Sequence, residues 1–366
     1  MSKSVATETP LDALRRWMAN RHLGSLYVTR PVSIAYLTGF LANPHERLMS
    51  LAVSADGATL IVPALEAQNA NARAANVEVV SWRDGEDPYE LVARALGGVR
   101  EAGVEKEHLT LHAAEVITTR TGISELVDLG PEIRRRRLIK NEDEIEKLQR
   151  AAEITDAAAE KVLPRLHAGQ SEVDVALMID SAIGELGGSL SFASLVQSGP
   201  NSALPHLEPG NRKLASGDLV LLDFGAAFEN YKADTTRMAV VGEPSAKQRE
   251  IHDLVLAAHD AAIAAVRAGV TTGDVDDAAR KVIEAGGYGK EFFHRVGHGL
   301  GLEDHEDPSL DPGSKTVLEA GMVFTIEPGI YIPGWGGLRI EDDVVVEERG
   351  CRVLTKADRS LRVITK

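Results

Sequence analysis

The chain of 366 residues is long enough for two domains, and its 40 basic and 55 acidic residues give a formal net charge of −15 at pH 7. That charge argues against binding to nucleic acid or to an anionic membrane, and the single cysteine excludes an internal disulfide and a cysteine-based zinc cluster. The polar start MSKSVATETP, with no run of about 18 apolar residues anywhere, predicts a cytoplasmic protein without signal peptide or membrane span.

The first part of the chain alternates between helical and strand patterns. Apolar periodicity predicts a short amphipathic helix over Leu11–Asn20, and runs of apolar residues predict strands over Ser25–Thr29, Leu51–Val53 and Ala58–Val62. The four arginines Arg134–Arg137 are interpreted as a solvated linker face. This alternation is typical of a mixed α/β domain that ends near residue 137.

A second region, from about residue 138 to residue 366, contains the same order of elements twice. The predicted elements are a helix capped by Asn141, a helix capped by Ser171, strands over Asp218–Phe224 and Thr235–Val241, a helix that ends at Gly269, and a helix over Asp274–Ala285 followed by further strands. The repetition of two helices followed by strands predicts an internal duplication.

Acidic residues occupy matching positions in the two copies. The segments GDLVLLDFG (217–225) and GMVFTIEPG (321–329) each contain a glycine, an apolar strand, an acid six residues on and a second glycine. Each acid is followed by another downstream: Asp223 by Asp234, and Glu327 by Glu341. If each strand turns back as an antiparallel hairpin, centred near Phe228–Asn230 in the first copy, the two acids of a pair lie opposite each other about 5 Å apart.

Carboxylates placed in this way repel one another, so either some of them stay protonated or cations join them. Two divalent ions would neutralise all four. The alternative is that each acid is an exposed turn residue with its own basic neighbour, such as Lys232, Arg237 or Arg339. The acids alone leave both interpretations open.

The segment HRVGHGLGLEDHE, residues 294–306, is rich in imidazole and glycine. Gly297 and Gly299 flank His298, so this is not the helical pattern of two histidines four residues apart that binds zinc. The glycines also lack the strand-then-helix context of a phosphate loop. They would instead let backbone approach a site closely, which favours His298 as a ligand beside the two acid pairs.

Together these segments resemble a known family. LLDFG, YKADTTR, HRVGHGLGLEDHE, TIEPGIY and GGLRIEDD resemble the motifs of the pita-bread metallopeptidases, in the branch of prolidase (Xaa-Pro dipeptidase) and aminopeptidase P. The segments IKNEDEIEKLQRAAEITD and SGPNSALPHLEPGNRKLASGDLVLLDFG also resemble that branch, and PVSIAYLTGF resembles a motif of its N-terminal domain. The resemblance implies an α/β (α+β) fold with a smaller creatinase-type α/β domain at 1–137 and a pseudo-two-fold pita-bread catalytic domain at 138–366.

The resemblance also implies a ligand set. Asp223 and Asp234 would bind a first divalent metal ion and His298 and Glu327 a second, with Asp234 and Glu341 bridging the two; Mn²⁺, Co²⁺ and Zn²⁺ all suit these donors. A hydroxide bridging the two ions would attack the scissile carbonyl, and Glu327 would shuttle the proton. His206 and His305 resemble the imidazoles that contact the substrate and stabilise the tetrahedral intermediate, and His294 resembles a third histidine of the substrate pocket.

The expected substrates are short peptides cleaved before proline. Phe192, Tyr231, Tyr331 and Trp335 are candidates for the wall that holds the proline ring. Arg295 and Arg339 are candidates to bind a substrate carboxylate. Ser309 stands where some prolidases carry a carboxylate-binding arginine, so dipeptidase and aminopeptidase activities both stay open.

Three alternatives remain besides cleavage before proline. One is an aminopeptidase of the same fold without a preference for proline. The others are a creatinase-like amidinohydrolase and a non-catalytic relative that binds peptides or histones, but both are expected to have lost metal ligands that this chain keeps. The family resemblance further implies a homodimer.

Overall fold

The computed structural model describes residues 9–365. Residues 1–8 and 366, and with them most of the polar N-terminal segment used to predict the absence of a signal peptide, lie outside this range. The chain divides into two compact units, Met1–Arg137 (unit 1) and Leu138–Lys366 (unit 2). Within residues 9–365, no helix combines the length and the apolar character needed to cross a bilayer.

Unit 1 is built on a mixed six-stranded sheet. Its helices α1 to α6 are Pro10–Asn20, Pro31–Thr38, Ala67–Arg73, Pro88–Leu96, Leu111–Thr121 and Gly130–Leu138, the last of which ends one residue into unit 2. Its strands β1 to β6 are Ser25–Val28, Ser50–Ser54, Ala58–Pro63, Glu78–Trp82, Glu101–Val104 and Glu125–Asp128, in the order β4-β3-β2-β1-β5-β6. The strands β1, β2 and β3 are antiparallel, and the other pairs are parallel.

Both faces of this sheet are covered by helices. This is visible within one strand, where alternate residues point to opposite faces. Leu26 and Val28 belong to the cluster that contains α1 and α2, whereas Tyr27 belongs to the cluster that contains α4 and α5. The mixed α/β prediction for this region is confirmed. The linker interpretation of Arg134–Arg137 is wrong: these residues lie in α6, where Arg137 is buried and Arg136 pairs with Glu132 one turn away.

Unit 2 contains four long helices and several small sheets. Helices α7 to α10 are Glu142–Val162, Glu172–Glu185, Ala246–Ala265 and Thr272–Ala285. Strands β7 to β20 are Ser189–Leu190, Leu195–Ser198, Leu219–Phe224, Ala226–Phe228, Tyr231–Lys232, Thr235–Val241, His298–Gly299, Glu306–Ser309, Val323–Ile326, Gly329–Ile332, Gly336–Arg339, Asp342–Glu347, Gly350–Val353 and Arg362–Ile364. The two larger sheets have the orders β20-β12-β9-β8 and β14-β13-β15-β18-β19.

The predicted duplication is visible in the helix pairs of unit 2. Helices α7 and α9 have 21 and 20 residues, and α8 and α10 have 14 each. Each of the four begins with a capping box in which the first and fourth residues exchange side-chain-to-backbone hydrogen bonds. The four boxes are Asn141 with Glu144, Ser171 with Asp174, Ser245 with Gln248, and Thr271 with Asp274.

Strand β9 explains why an acid can follow a long apolar run. Leu219 and Leu221 pack in the cluster that contains α9 and α10, whereas Val220 and Leu222 pack in the cluster that contains α7 and α8. A strand that is covered on both faces has a continuously apolar sequence. Asp223 continues the face of Leu219 and Leu221, which is turned toward the second repeat.

The two hairpins differ in register. In the first, Phe228 pairs with Tyr231 around a two-residue turn, Glu229-Asn230, with positive φ at both residues, as in a type I′ turn. This register places Asp223 opposite Thr236. The expected direct opposition of Asp223 and Asp234 is therefore wrong, because the turn centre lies one residue further along the chain than expected.

Asp234 is nevertheless on the same face of the sheet as Asp223, since it lies two residues before Thr236. In the second hairpin, Ile326 pairs with Asp342 and Gly329 with Arg339. This register places Glu327 directly opposite Glu341, as expected. One acid pair is thus diagonal and the other directly opposed.

Candidate active site

Side chains expected to bind metal converge in unit 2, although they come from its two repeats. Asp234, His298 and Glu341 each offer one ligand atom, and these three atoms lie within 4.8 Å of one another. His298 Nε2 is also 3.5 Å from Glu327 Oε1. Asp223 is beside Asp234 on the same sheet face, so the five residues form one cluster of four carboxylates and an imidazole.

His298 reaches this cluster because the strands beside it come unusually close. A Cβ atom on Gly297 would lie 1.9 Å from the carbonyl oxygen of Thr325, and one on Gly299 would lie 2.1 Å from that of Asp307. Any side chain at either position would push a neighbouring strand away. Thr325 Oγ1 accepts a hydrogen bond from the His298 backbone N at 3.1 Å, which fixes the ligand on β13 against β15.

Burial and mutual repulsion dominate the electrostatics of the cluster. Burial and the neighbouring carboxylates raise the pKa of Asp234 and Glu341 well above their ordinary values. Burial also raises the pKa of Asp223 and Glu327. It lowers the pKa of His298 to about 3, so this imidazole is neutral at pH 7 and offers a lone pair.

Two oxygen atoms of the cluster are buried without any hydrogen-bond partner: Oδ1 of Asp223 and Oδ1 of Asp234. A buried polar atom without a partner is costly, and buried carboxylates are normally paired with a cation or a metal ion. Carboxylate oxygens beside a neutral imidazole are suitable donors for Mn²⁺, Co²⁺ or Zn²⁺. The residues present therefore fit a divalent metal centre.

The two histidines expected to contact substrate, His206 and His305, lie at the rim and are exposed. The loop of His206 is held by the buried Gln197, whose Nε2 donates to the carbonyl oxygens of Pro205 and Leu207 at 3.0 and 2.9 Å. The His305 ring stacks on His298, with centroids 3.8 Å apart and an interplanar angle of 27°. Both imidazoles line the same cavity as Glu327.

This cavity has a volume of about 570 Å³ and lies over the carboxylate cluster. Its apolar wall is formed by Leu204, Pro205, Leu207, Phe293 and Tyr331. Phe293 is 64% exposed, and its ring centroid is 5.4 Å from that of Tyr331. An exposed phenylalanine at the mouth of a cavity is a natural contact for an apolar ligand group.

Of the four aromatic residues suggested for this wall, Tyr331 alone lines the cavity, and Phe293 was missed. Tyr231 instead donates from its hydroxyl to Glu144 Oε1 at 2.9 Å. Trp335 lies under Lys247, whose Nζ is 4.6 Å from the ring centroid. Phe192 is half-buried outside the lining.

Comparison with known families agrees with this geometry. The model of metallopeptidase family M24 matches residues 146–348, and that of the creatinase/prolidase N-terminal domain matches residues 10–139. The chain belongs to metallopeptidase family M24. The fold implied by the resemblance, a creatinase-type N-terminal domain followed by a pita-bread catalytic domain, is thereby confirmed, as is the assignment of the protein to the peptidases.

Relatives of this M24 peptidase span nearly its whole length. An uncharacterized peptidase of Staphylococcus aureus (strain USA300) is 38% identical over 342 residues, which are 93% of this chain and 97% of the relative. The X-Pro aminopeptidase of Thermotoga maritima MSB8 superposes with a TM-score of 0.91 at 31% identity, over 98% of this chain and 100% of that one. The Xaa-Pro dipeptidase of Bacillus anthracis gives a TM-score of 0.90 at 35% identity, over 97% and 99%.

In this M24 chain, Arg339 lines the cavity and donates a hydrogen bond to a protein group from each of its three guanidinium nitrogens. It is 4% exposed, its Nη2 donates to Asp223 Oδ2, its Nε donates to Thr236 Oγ1 at 2.8 Å, and its Nη1 donates to Tyr331 Oη at 3.2 Å. Its Nε is also 3.5 Å from Glu341 Oε2. The guanidinium therefore acts as counter-charge to the carboxylate cluster, although the sequence suggested it for a substrate carboxylate.

His294 is engaged in the same hydrogen-bond chain. Its Nδ1 is 2.7 Å from the carbonyl oxygen of Arg295, which can only accept, so Nδ1 carries the proton. Nε2 must then accept from the Tyr331 hydroxyl at 3.1 Å. Burial lowers the pKa of His294 to about 4, which keeps the ring neutral at pH 7. His294 lines the cavity, but both of its nitrogens already have partners.

Arg295, by contrast, points a half-buried guanidinium at the cavity. Its Nη1 donates to Ser309 Oγ at 2.7 Å. Among residues 9–365, no carboxylate lies within ion-pair distance of it. Arg295 is thus the arginine of this M24 site that has charge to offer a bound anion.

Proposed function

We propose that this chain is a two-metal peptidase that hydrolyses the peptide bond before proline in short Xaa-Pro peptides. The observation that carries the proposal is the cluster of four carboxylates, three of them buried, and one neutral imidazole beside a cavity that Glu327 and His298 line, with two carboxylate oxygens left without partners. The solved relatives support the substrate class, because their names describe cleavage next to proline.

The family resemblance implies how the cluster would hold the metal ions. Asp223 and Asp234 would hold one divalent ion, His298 and Glu327 the other, and Asp234 and Glu341 would be shared by both. Two such ions supply Lewis-acid polarisation of a carbonyl and a lowered pKa for bound water. Mn²⁺, Co²⁺ and Zn²⁺ remain the candidates, since all three accept oxygen and imidazole ligands.

Side chains of this protein carry out the remaining steps of peptide hydrolysis. Glu327, at the edge of the cluster, accepts the proton of the attacking water on a carboxylate oxygen and returns it to the leaving amine. His206 at the rim donates a hydrogen bond to the carbonyl oxygen as it gains negative charge, and His305 beside it contacts the peptide substrate. Tyr331, fixed by Arg339 and His294, holds the wall of the cavity in place.

The substrate panel is the experiment that tests this function. The metal-loaded enzyme is expected to cleave Xaa-Pro dipeptides or the N-terminal Xaa-Pro bond of tripeptides and longer peptides, and to leave matched peptides without proline uncut. Product analysis by mass spectrometry separates the outcomes. Cleavage confined to dipeptides identifies a prolidase, and release of one residue from longer peptides an aminopeptidase P. Equal cleavage of peptides without proline would overturn the proline preference.

Phe293→Ala tests the apolar wall. We expect kcat/KM for Xaa-Pro substrates to fall roughly 5- to 30-fold, mainly through KM, because about 1–2 kcal/mol of apolar contact with the substrate is lost. Leu111→Ala is the control, since Leu111 is 78% exposed and belongs to unit 1. An unchanged kcat/KM in Phe293→Ala would show that the substrate does not touch this ring.

Two further expectations from the sequence stay predictions. Homodimer formation can be checked by light scattering. A cytoplasmic location can be checked by fractionation of the cells that produce the protein.

A further inference from the structure

Two ion pairs help to attach the segment Gly301–Glu306, which carries His305, to neighbouring parts of unit 2. Lys140 Nζ lies 2.9 Å from Glu306 Oε1, and both side chains are buried. On the other side, Lys232 Nζ lies 3.1 Å from Asp304 Oδ1. The backbone N of Lys232 also donates to the carbonyl oxygen of Gly301 at 2.8 Å. Lys232 therefore holds the segment at two points.

The His305 side chain needs such support because it is 58% exposed. One face of its ring stacks on His298. Its Nδ1 lies 3.8 Å from Asp304 Oδ2, the oxygen of Asp304 that does not face Lys232. The imidazole and the Lys232 ammonium together lower the pKa of Asp304 below its ordinary value, so this carboxylate is charged.

We propose that Asp304, anchored by Lys232, is a positioning residue that sets the ring orientation and tautomer of His305 above the carboxylate cluster. A carboxylate at Nδ1 favours the tautomer with its proton on that nitrogen, which leaves Nε2 directed away from Asp304. The proposal rests on the proposed function in taking His305 as a group that contacts the peptide.

The origin of Lys232 makes the pair more than a local surface contact. Lys232 lies on β11, two residues before Asp234, whereas Asp304 lies in the loop between β13 and β14 of the second repeat. The ion pair therefore ties the hairpin that carries the first-repeat carboxylates to the loop that carries His305. A group that acts in the reaction must be held to within a fraction of an ångström, and such a cross-link between repeats supplies that restraint.

A double-mutant cycle tests the coupling. Lys232→Met and Asp304→Ala are each expected to lower kcat on an Xaa-Pro substrate roughly ten- to hundredfold, with KM changed less than about threefold and metal content unchanged. The double variant should lose little more than either single variant, because both remove the same restraint. Asp304→Asn, which keeps an oxygen acceptor for Nδ1, should restore part of the loss.

Asp277→Ala is the control. It removes a lysine–aspartate pair with Lys281 in which both side chains are more than half exposed, away from the cavity. Its kcat should equal that of the wild type. Additive losses in Lys232→Met and Asp304→Ala would show that the two residues do not act through one shared restraint. Losses matched by a fall in metal content would show that the pair supports the metal cluster and not His305. Either result would overturn the proposal.

A readout independent of activity is the ring-nitrogen NMR spectrum of histidine-labelled protein, with the His305 signals assigned through His305→Gln. The wild type should show His305 with the proton on Nδ1, and Asp304→Ala should show a mixture of tautomers. An unchanged His305 spectrum in Asp304→Ala would overturn the positioning role. If instead the wild type cleaves no Xaa-Pro peptide while the tautomer shifts as expected, the proposed function fails and the positioning role stands.

Discussion

Replacing Glu341 with glutamine is expected to remove at least one metal ion per chain and to lower kcat/KM on the order of 10³-fold. Glutamine has the same shape but no charge, so Glu341→Gln tests ligation with little change in packing. Glu341 is 2% exposed, and its Oε2 already accepts from Thr236 Oγ1 at 2.6 Å. A lost ligand removes several kcal/mol of charge stabilisation from the transition state, and each 1.36 kcal/mol corresponds to a tenfold change in rate.

The matched control for this variant is Glu347→Gln. Glu347 lies at the other end of the strand that Glu341 precedes, and its side chain is 57% exposed. It should keep two metal ions per chain, by elemental analysis of dialysed protein, and full activity. Glu341→Gln with the metal content and kcat/KM of the wild type would exclude Glu341 as a ligand. A wild type that binds no divalent ion would exclude the metal centre altogether.

Asp223→Asn should likewise remove metal and lower kcat/KM. Its Oδ1 is one of the two buried oxygens without a partner, whereas Oδ2 receives the Arg339 guanidinium. Loss of metal in both variants would indicate that the two repeats share one centre. Loss in Glu341→Gln alone would indicate that Arg339 satisfies Asp223, so that Asp223 contributes no ligand.

Several parts of this site could be predicted from the sequence because they depend on short-range pattern. The apolar run before Asp223 is the signature of a strand covered on both faces, and its recurrence before Glu327 indicates a second copy. The glycines around His298 predict close approach of backbone, although the approach is made by neighbouring strands. Strand, turn and capping patterns of this kind reflect local conformational preference and are visible without tertiary contacts.

The register of the first hairpin was missed because its turn has no glycine. Glu229-Asn230 adopts the positive φ values that usually call for Asn-Gly or Asp-Gly, so the turn centre could not be read from the residues. An error of one residue in the centre moves the cross-strand partner by two. Asp234 stayed on the correct face because a shift of two preserves the side of the sheet.

Other features depend on contacts that no local pattern encodes. Gln197 and Phe293 lie outside the acidic motifs, and one holds the loop of His206 while the other lines the cavity. Arg339 lies within a motif, but whether an arginine faces a substrate or a buried acid depends on which side chains pack around it. Such contacts between distant parts of the chain are visible only in the tertiary structure.

The second large effect concerns stability: Arg237→Met is expected to lower the free energy of unfolding of unit 2 by about 3–5 kcal/mol. Arg237 is 1% exposed, and its Nη2 lies 2.7 Å from Asp342 Oδ1, which is also fully buried. Methionine fills much of the volume but leaves the carboxylate with fewer partners. It also removes the hydrogen bonds that the guanidinium donates to three carbonyl oxygens, those of Thr236, Glu341 and Ala357.

The control is Arg249→Met, which breaks an ion pair with Glu243 in which both side chains are exposed. It should change the free energy of unfolding by less than about 1 kcal/mol. Unfolding of unit 2 can be followed by Trp335 fluorescence in a background with phenylalanine at Trp17 and Trp82, both of which belong to unit 1. The midpoint temperature of Arg237→Met should fall on the order of 10 °C.

Arg237 also links stability to the site, because its Nη1 donates to the carbonyl oxygen of Glu341 at 2.6 Å. Below its midpoint temperature, Arg237→Met should therefore bind metal more weakly than the wild type, whereas Arg249→Met should not. Weakened metal binding without any loss of stability would show that the guanidinium positions the metal ligand Glu341 and does not stabilise the core. Wild-type values for both quantities would mean that the other partners of Asp342, which are Arg359, Thr355 and His259, are sufficient to hold it.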